Sequence, residues 1–344
     1  MRILGFDLAR GVAILVMVIG HTLGIFSIPR VVFSPAGLAV AVVGLTLGAP
    51  VFTFLMGASL AFSKRATLKN GVIRGVTLLL LAYLLNFLRG TFPALLMPRF
   101  LGMRLDSIAP HTPASLFWTV DILHFAGLAV IVLTFIRSIV RKPTIWVMLA
   151  VAAAVSAPIL WDRKSGWPPL DWLLTLVWGP AAFPLFPWVS YPLVGMALGY
   201  WLVSSIDRNL LFRRTAGAGL MLLLLGTVII LTNPRFHLGD YFHSGPGGVV
   251  GMMGLVLTWV AVCQWLVQRV QANPLFKLLY FWSARVTTMY CAHWIIIGWG
   301  VTIFGYHKQE WPAILLLMIA VLALADQATR VWGRLTRVSP HPAV

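Results

Sequence analysis

Apolar residues run along this chain in blocks of about twenty, broken by short stretches that gather much of the proline and most of the charge. A helix needs about 20 predominantly apolar residues to cross a bilayer, and the blocks repeat at that length. They predict ten spans, approximately 8–28, 38–62, 75–97, 117–136, 144–161, 186–204, 215–232, 247–267, 278–304 and 313–329. The fold class is therefore all-α, a polytopic membrane helix bundle of about ten transmembrane helices. One stretch fits neither a span nor a loop. DWLLTLVWGPAAFPLF at 171–186 is strongly apolar but interrupted by Pro180 and Pro184, and it reads as re-entrant or interfacial, with Trp172 and Trp178 in the aromatic belt. The first apolar run starts almost at Met1 and lacks a small-residue cleavage site, so it is expected to stay as the first span.

Composition sharpens the class. Of 344 residues, 60% are hydrophobic and 10% charged, and the mean hydropathy is +0.90. A net charge of +17 would suit nucleic acid if the basic residues formed a soluble patch. Here they lie between apolar runs, which excludes that partner and makes the charge mostly topogenic. With the N-terminus inside, 18 of the 26 basic residues fall on the cytoplasmic side, so the positive-inside rule favours N-in and C-in. The longer external segments are then 89–116, 162–185 and 233–246, the places for a lid or an acceptor-binding surface.

Ionisable groups inside spans carry the chemistry. Arg10 and His21 bracket RGVAILVMVIGH, and eleven residues at 100° each return to within about 20° of the starting direction, roughly 16 Å along a helix. Asp7 falls near the same face, and His21 lies in the external half of its span. Burying such groups in a bilayer is expensive, which makes a functional site the default reading. Asp121 and His124 are one turn apart near the external end of the fourth span, and Tyr290 and His293 are three apart on the ninth. Placed at similar depth, His21, Asp121, His124 and His293 could converge on one cavity; each histidine taken singly could instead be a buried polar group bonded to a neighbouring helix. A basic set lies at the cytoplasmic end: Arg10, Lys64, Arg65, Lys69, Arg74 and Arg285. Arginine's fork suits phosphate oxygens, so Arg10 and Arg285 read either as phosphate ligands or as partners of Asp7 and helix-end carbonyls. Lys64, Arg65, Lys69 and Arg74 could join them or serve only as topogenic charge. His237, Asp240 and His243 in HLGDYFH lack a helical ligand frame, so no metal is expected. Cys263 and Cys291 read as free buried thiols.

These residues resemble a family. GFDLARGVAILVMVIGH at 5–21 looks like the first-helix signature of transmembrane acyltransferases, and Arg10 and His21 fit the arginine, ten residues, histidine pattern of the acyltransferase-3 type. GAPVFTFLMGASLAFS at 48–63, FPWVSYPLVGMALGYWL at 186–202 and SARVTTMYCAHW at 283–294 are similar to the heparan-alpha-glucosaminide N-acetyltransferase family, and with DILHFAGL at 121–128 they keep its order. The resemblance implies a single transmembrane acyltransferase domain over 1–344 in a bacterial inner membrane. Such a protein moves an acetyl group from cytoplasmic acetyl-CoA to a sugar or glycan at the external face. His21 would be general base or acyl carrier, Asp121 would orient, and His124 and His293 would assist. The donor would lie on Arg10, Arg285, Lys64 and Arg65, with Asp7 as a structural partner. The lysosomal enzyme of the family has asparagine at the position of His21 and a histidine in the loop that follows, whereas here Ser27 to Leu38 contains none. The expected partners are the bilayer, an acyl-CoA and a saccharide, and two chains could pair as a homodimer. A proton-coupled or glycan transporter would use the same intramembrane residue types and stands as the alternative.

Overall fold

A computed structural model describes residues 2–63, 67–100, 108, 110–161, 163–271 and 273–336. In chain order its helices are α1 (Leu4–Phe26), α2 (Pro29–Val32), α3 (Pro35–Leu47), α4 (Ala49–Phe62) and α5 (Leu68–Asn86). A π-helical turn (Phe87–Thr91) runs from α5 into α6 (Phe92–Phe100), followed by α7 (Pro113–Trp118), α8 (Ile122–Ile139), α9 (Pro143–Leu160) and α10 (Pro168–Val177). Then come α11 (Leu185–Trp188), α12 (Ser190–Ser204), α13 (Arg208–Thr232), α14 (Pro234–Leu238), α15 (Pro246–Arg269), α16 (Pro274–Ala284), α17 (Val286–Phe304) and α18 (Trp311–Leu335). Among the described residues there is no strand, only an isolated bridge between Ser27 and Gln309.

Nine helical segments among the described residues are long and apolar enough to span a bilayer, and the chain is an integral multi-pass membrane protein. The span expected at 186–204 is not among them. Extended backbone at Phe186 interrupts that stretch, leaving α11 and a 15-residue α12. The span expected over 278–304 is likewise cut, at Arg285, into α16 and α17. Arg285 therefore sits at a helix junction instead of inside a continuous helix. If Leu185–Ser204 is the tenth crossing, both chain ends lie on one side, the side that the basic asymmetry leads us to expect in the cytoplasm. A fluorescent protein fused to the C-terminus is expected to fluoresce, and alkaline phosphatase fused there to be inactive; the opposite pair of results would turn the topology around.

The helices gather into two compact units. Unit 1 comprises Met1–Ala49, Tyr83–Thr119 and Arg269–Val344, and unit 2 comprises Pro50–Ala82 and Val120–Gln268. At the centre of unit 1, α1 packs against α3, α16, α17 and α18. It buries Phe6, Ala9, Ala13, Ile14, Val18, Leu23 and Phe26. Gly11 permits the approach of α16, because a side chain there would overlap the Leu279 carbonyl.

Small residues also set the packing of unit 2. Gly57 of α4 lies against the backbone of Pro192 on α12, and Gly195 of α12 lies against Phe54 of α4, with no room for a Cβ at either. In hydrocarbon, lipid is as apolar as leucine, so helices associate through this kind of close backbone packing instead of by escaping water. Arg137 closes the end of α4, donating from Nη1 to the carbonyls of Leu60 and Ser63, 3.0 Å each. It thereby satisfies acceptors that a helix C-terminus leaves open. The outer face of α13 carries Leu220, Met221, Leu224, Val228 and Leu231, all exposed, as suits a helix solvated by lipid.

Candidate functional site

The helix α1 carries the site of unit 1 along one stripe. Asp7 lies in its first turn, favourable for the positive end of the helix dipole, and His21 lies in its last third. His21 is half-buried, and its Nδ1 lies 3.0 Å from Nε2 of His293 on α17, which is fully buried. The two imidazoles are nearly parallel, 9° apart with centroids 5.3 Å apart. Tyr290, His293 and Trp294 share a side of α17 by their i, i+3 and i+4 spacing. Trp294 lies 4.4 Å from the His21 ring, and Tyr290 meets His293 edge-on at 5.4 Å.

The hydrogen-bond chain assigns the protons. Nδ1 of His293 lies 3.1 Å from the Met289 carbonyl, which can only accept, so His293 carries hydrogen there. With the ring neutral its Nε2 is an acceptor, so Nδ1–H of His21 donates to it. The basic lone pair of His21 then resides on Nε2. The backbone, through His293, selects the tautomer of His21, as a carbonyl or carboxylate commonly does for a working histidine.

At the other end of α1, Arg10 Nη1 donates to Ser283 Oγ at 3.3 Å, and Ser283 donates to Asp7 Oδ1 at 3.0 Å. Asp7 also pairs with Arg2 at 2.7 Å and lies 3.7 Å from Arg10. Asp7 thus meets Arg2, Arg10 and Ser283. Arg285 stacks on Phe281 with Cζ 4.5 Å from the ring centroid, and Arg330 approaches the same ring at 4.5 Å. Asp326 accepts from Trp282 at 2.8 Å and pairs with Arg330 at 2.7 Å. Four arginines and two aspartates therefore gather at this end of unit 1, beside the N-terminus of α17. Lys64 and Arg65 lie outside the described residues.

Asp121 and His124 belong to unit 2 and make a helix start. The Asp121 carboxylate accepts from Ile122 N–H at 2.6 Å, and Nδ1 of His124 accepts from Asp121 N–H at 3.1 Å, a reciprocal capping box for α8. The loop histidines serve separate local ends. His237 accepts from Gly247 N–H at 3.2 Å, whereas His243 contacts Asp240 at 2.9 Å and the Gly179 carbonyl at 2.8 Å. Burial raises the Asp240 carboxyl, but the Phe242 amide and the His243 ring more than offset it and hold the group below the usual carboxylate range. Among the described residues no cluster of three histidine, cysteine or acidic groups is arranged to hold a metal.

Sequence reasoning did not single out Trp294, Arg330 or Arg89, and it noted Ser283 only as a neighbour of Arg285. Arg89 lies in the π-helical turn, its Cζ 4.3 Å above the Trp294 ring. Its only sequence signal is a lone basic residue closing an apolar run, while Ser283 and Trp294 lie within the quoted block 283–294.

The family model described as heparan-alpha-glucosaminide N-acetyltransferase, catalytic, matches residues 2–231. Arg10, His21, Asp121 and His124 fall inside that range; Arg285 and His293 fall beyond it. Comparison with curated proteins found no match.

Proposed function

Because this chain belongs to the heparan-alpha-glucosaminide N-acetyltransferase catalytic family, we propose that it moves acetyl from cytoplasmic acetyl-CoA to a sugar or glycan acceptor at the external face, with His21 as general base. The observation that carries this reading is the chain from the Met289 carbonyl through His293 to His21, which leaves Nε2 of His21 as the basic atom. In the reaction an acceptor hydroxyl or amine gives its proton to that nitrogen while its oxygen or nitrogen bonds to the thioester carbonyl carbon. The tetrahedral intermediate collapses, the C–S bond breaks, and the departing thiolate of CoA takes the proton from His21. While His21 is an imidazolium, its Nδ1–H bond to His293 becomes charge-assisted, which favours the charged form when it is needed. Asp121 and His124, which cap α8, are not required for this proton path.

The arginine-rich end of unit 1 suits the donor's phosphates. Arg285 presents a guanidinium beside the first turn of α17, where backbone N–H groups and the helix dipole also favour anions. Arg10 is more deeply engaged with Ser283 and Asp7, so its loss would disturb the helix pair as well as any ligand.

Purified protein and labelled acetyl-CoA test the reading through donor-dependent acetylation of membrane saccharides. Arg285→Ala is expected to raise KM for acetyl-CoA about 10- to 100-fold, the worth of one charge-assisted contact, with kcat nearly unchanged. An unaltered KM would remove Arg285 from the donor site. Uptake of saccharide into vesicles that hold no acyl donor, without any acetylation, would replace transfer by transport.

A further inference from the structure

On the His21 side of unit 1, the π-helical turn Phe87–Thr91 opens the wall of a cavity of about 220 Å³. Single-turn π-bulges inside helices recur at functional sites, and Arg89 lies in this one. Its Nη2 donates to Asn86 Oδ1 at 2.9 Å, and Asn86 in turn donates to the carbonyls of Phe117 and Thr119 at 2.9 and 2.6 Å. Gly298 of α17 lies directly against the Arg89 backbone. Asn86 thereby helps to orient the guanidinium over Trp294.

Most of the remaining wall is apolar: Met97, Ile108, Ile297 and Val301 line it. A free saccharide would leave its hydroxyls unsatisfied against such a surface, at a cost of a few kcal/mol, whereas a hydrocarbon chain would fit it. Thr119 gives its hydroxyl to the Ser115 carbonyl, and besides His111 and Tyr306 two further donors border the cavity. One is Arg89. The other is Trp294, whose Nε1–H is buried with no acceptor among the described residues. Apolar walls with a cation and an N–H at one side describe an amphiphile with an anionic, oxygen-bearing head. Trp294 touches both Arg89 and His21, so such a head would lie one residue away from the proposed base.

We propose that this cavity binds the hydrocarbon chain of a lipid phosphate, with the phosphate on Arg89 and Trp294, so that the acetyl acceptor is a sugar carried on that lipid. The proposal rests on acetyl transfer at His21 for the acceptor's role. The binding site itself can be tested without acetyl-CoA. Intact protein in nanodiscs is irradiated with decyl phosphate bearing a terminal diazirine, and the labelled peptides are mapped by mass spectrometry. Labelling is expected within α6 and α17, and roughly tenfold or more weaker with a decyl glucoside carrying the same diazirine. Ethyl phosphate, which shares the head and lacks the chain, is expected to compete poorly. Arg89→Gln and the cavity-filling Ala94→Leu should each suppress the labelling.

Equal labelling by the two decyl probes, crosslinks outside these helices, or wild-type labelling of Arg89→Gln would overturn the proposal. Competition by ethyl phosphate as strong as by unlabelled decyl phosphate would also overturn it, by making the site one for free phosphate. The comparison of probes uses wild-type protein, so it decides even if a variant fails to fold. Labelled protein that never transfers acetyl would refute the proposed function and keep this site; active protein without labelling would do the reverse.

Discussion

Alanine in place of His21 is expected to lower acetyl transfer by about 10²–10⁴-fold, the usual effect of losing a general base, while the protein still inserts and purifies as wild type. The side chain is half-buried and its loss leaves α1 packed through Phe6, Ala13, Ile14, Val18 and Leu23, so the helix has no reason to move. What disappears is the lone pair on Nε2, together with the acceptor of the transferred proton. His293→Gln gives the informative contrast. Glutamine can still meet His21 but no longer enforces its tautomer through the Met289 carbonyl, so the expected loss is smaller and falls on kcat. The measurement is donor-dependent acetylation by purified proteins at matched concentrations. Comparable rates for wild type and His21→Ala would remove His21 from the mechanism and return attention to His124 and His293.

Gly57→Val is expected to abolish stable accumulation of the protein. The added Cβ would overlap the Pro192 carbonyl oxygen, and a helix backbone cannot yield as a flexible side chain can. Separating α4 from α12 would also undo the reciprocal contact of Gly195 with Phe54. The penalty belongs among the exceptional single-site effects, above about 4 kcal/mol. Gly217→Val on α13 supplies the control, because nothing lies within 4 Å of a Cβ there. Membrane levels and a monodisperse profile in mild detergent read the result, with Gly217→Val expected to match wild type. Equal accumulation of both variants would mean that α4 and α12 do not cross at Gly57.

Much of the architecture was legible because bilayer thickness imposes one length on every span. The stripe joining Arg10 to His21 was legible because both residues sit on one uninterrupted helix, where 100° per residue is sufficient geometry. Interruptions were harder. Nothing in the periodicity of 278–304 announces that the chain turns at Arg285, since small polar residues such as Ser283, Thr287 and Thr288 also occur inside continuous spans. Asp121 lies within the fourth candidate span, as its setting in the sequence indicates, but its cap on α8 is not legible from composition alone. The contact of His21 with His293 crosses 272 positions of sequence, and no local pattern encodes such a pairing. Arg89 was placed in an external segment, because a π-helical turn has no compositional signature.

The assembly of unit 1 from the first, a middle and the last part of the chain bears on biogenesis. His21 leaves the ribosome early and His293 late, and at 5–20 residues per second the interval is on the order of tens of seconds. Through that time α1 must wait in the bilayer for α16, α17 and α18, its later packing partners, with its stripe of Asp7, Arg10 and His21 still lacking them. Until then a nascent chain holds a histidine whose tautomer nothing has selected, so the proton chain closes only after α17 has been made.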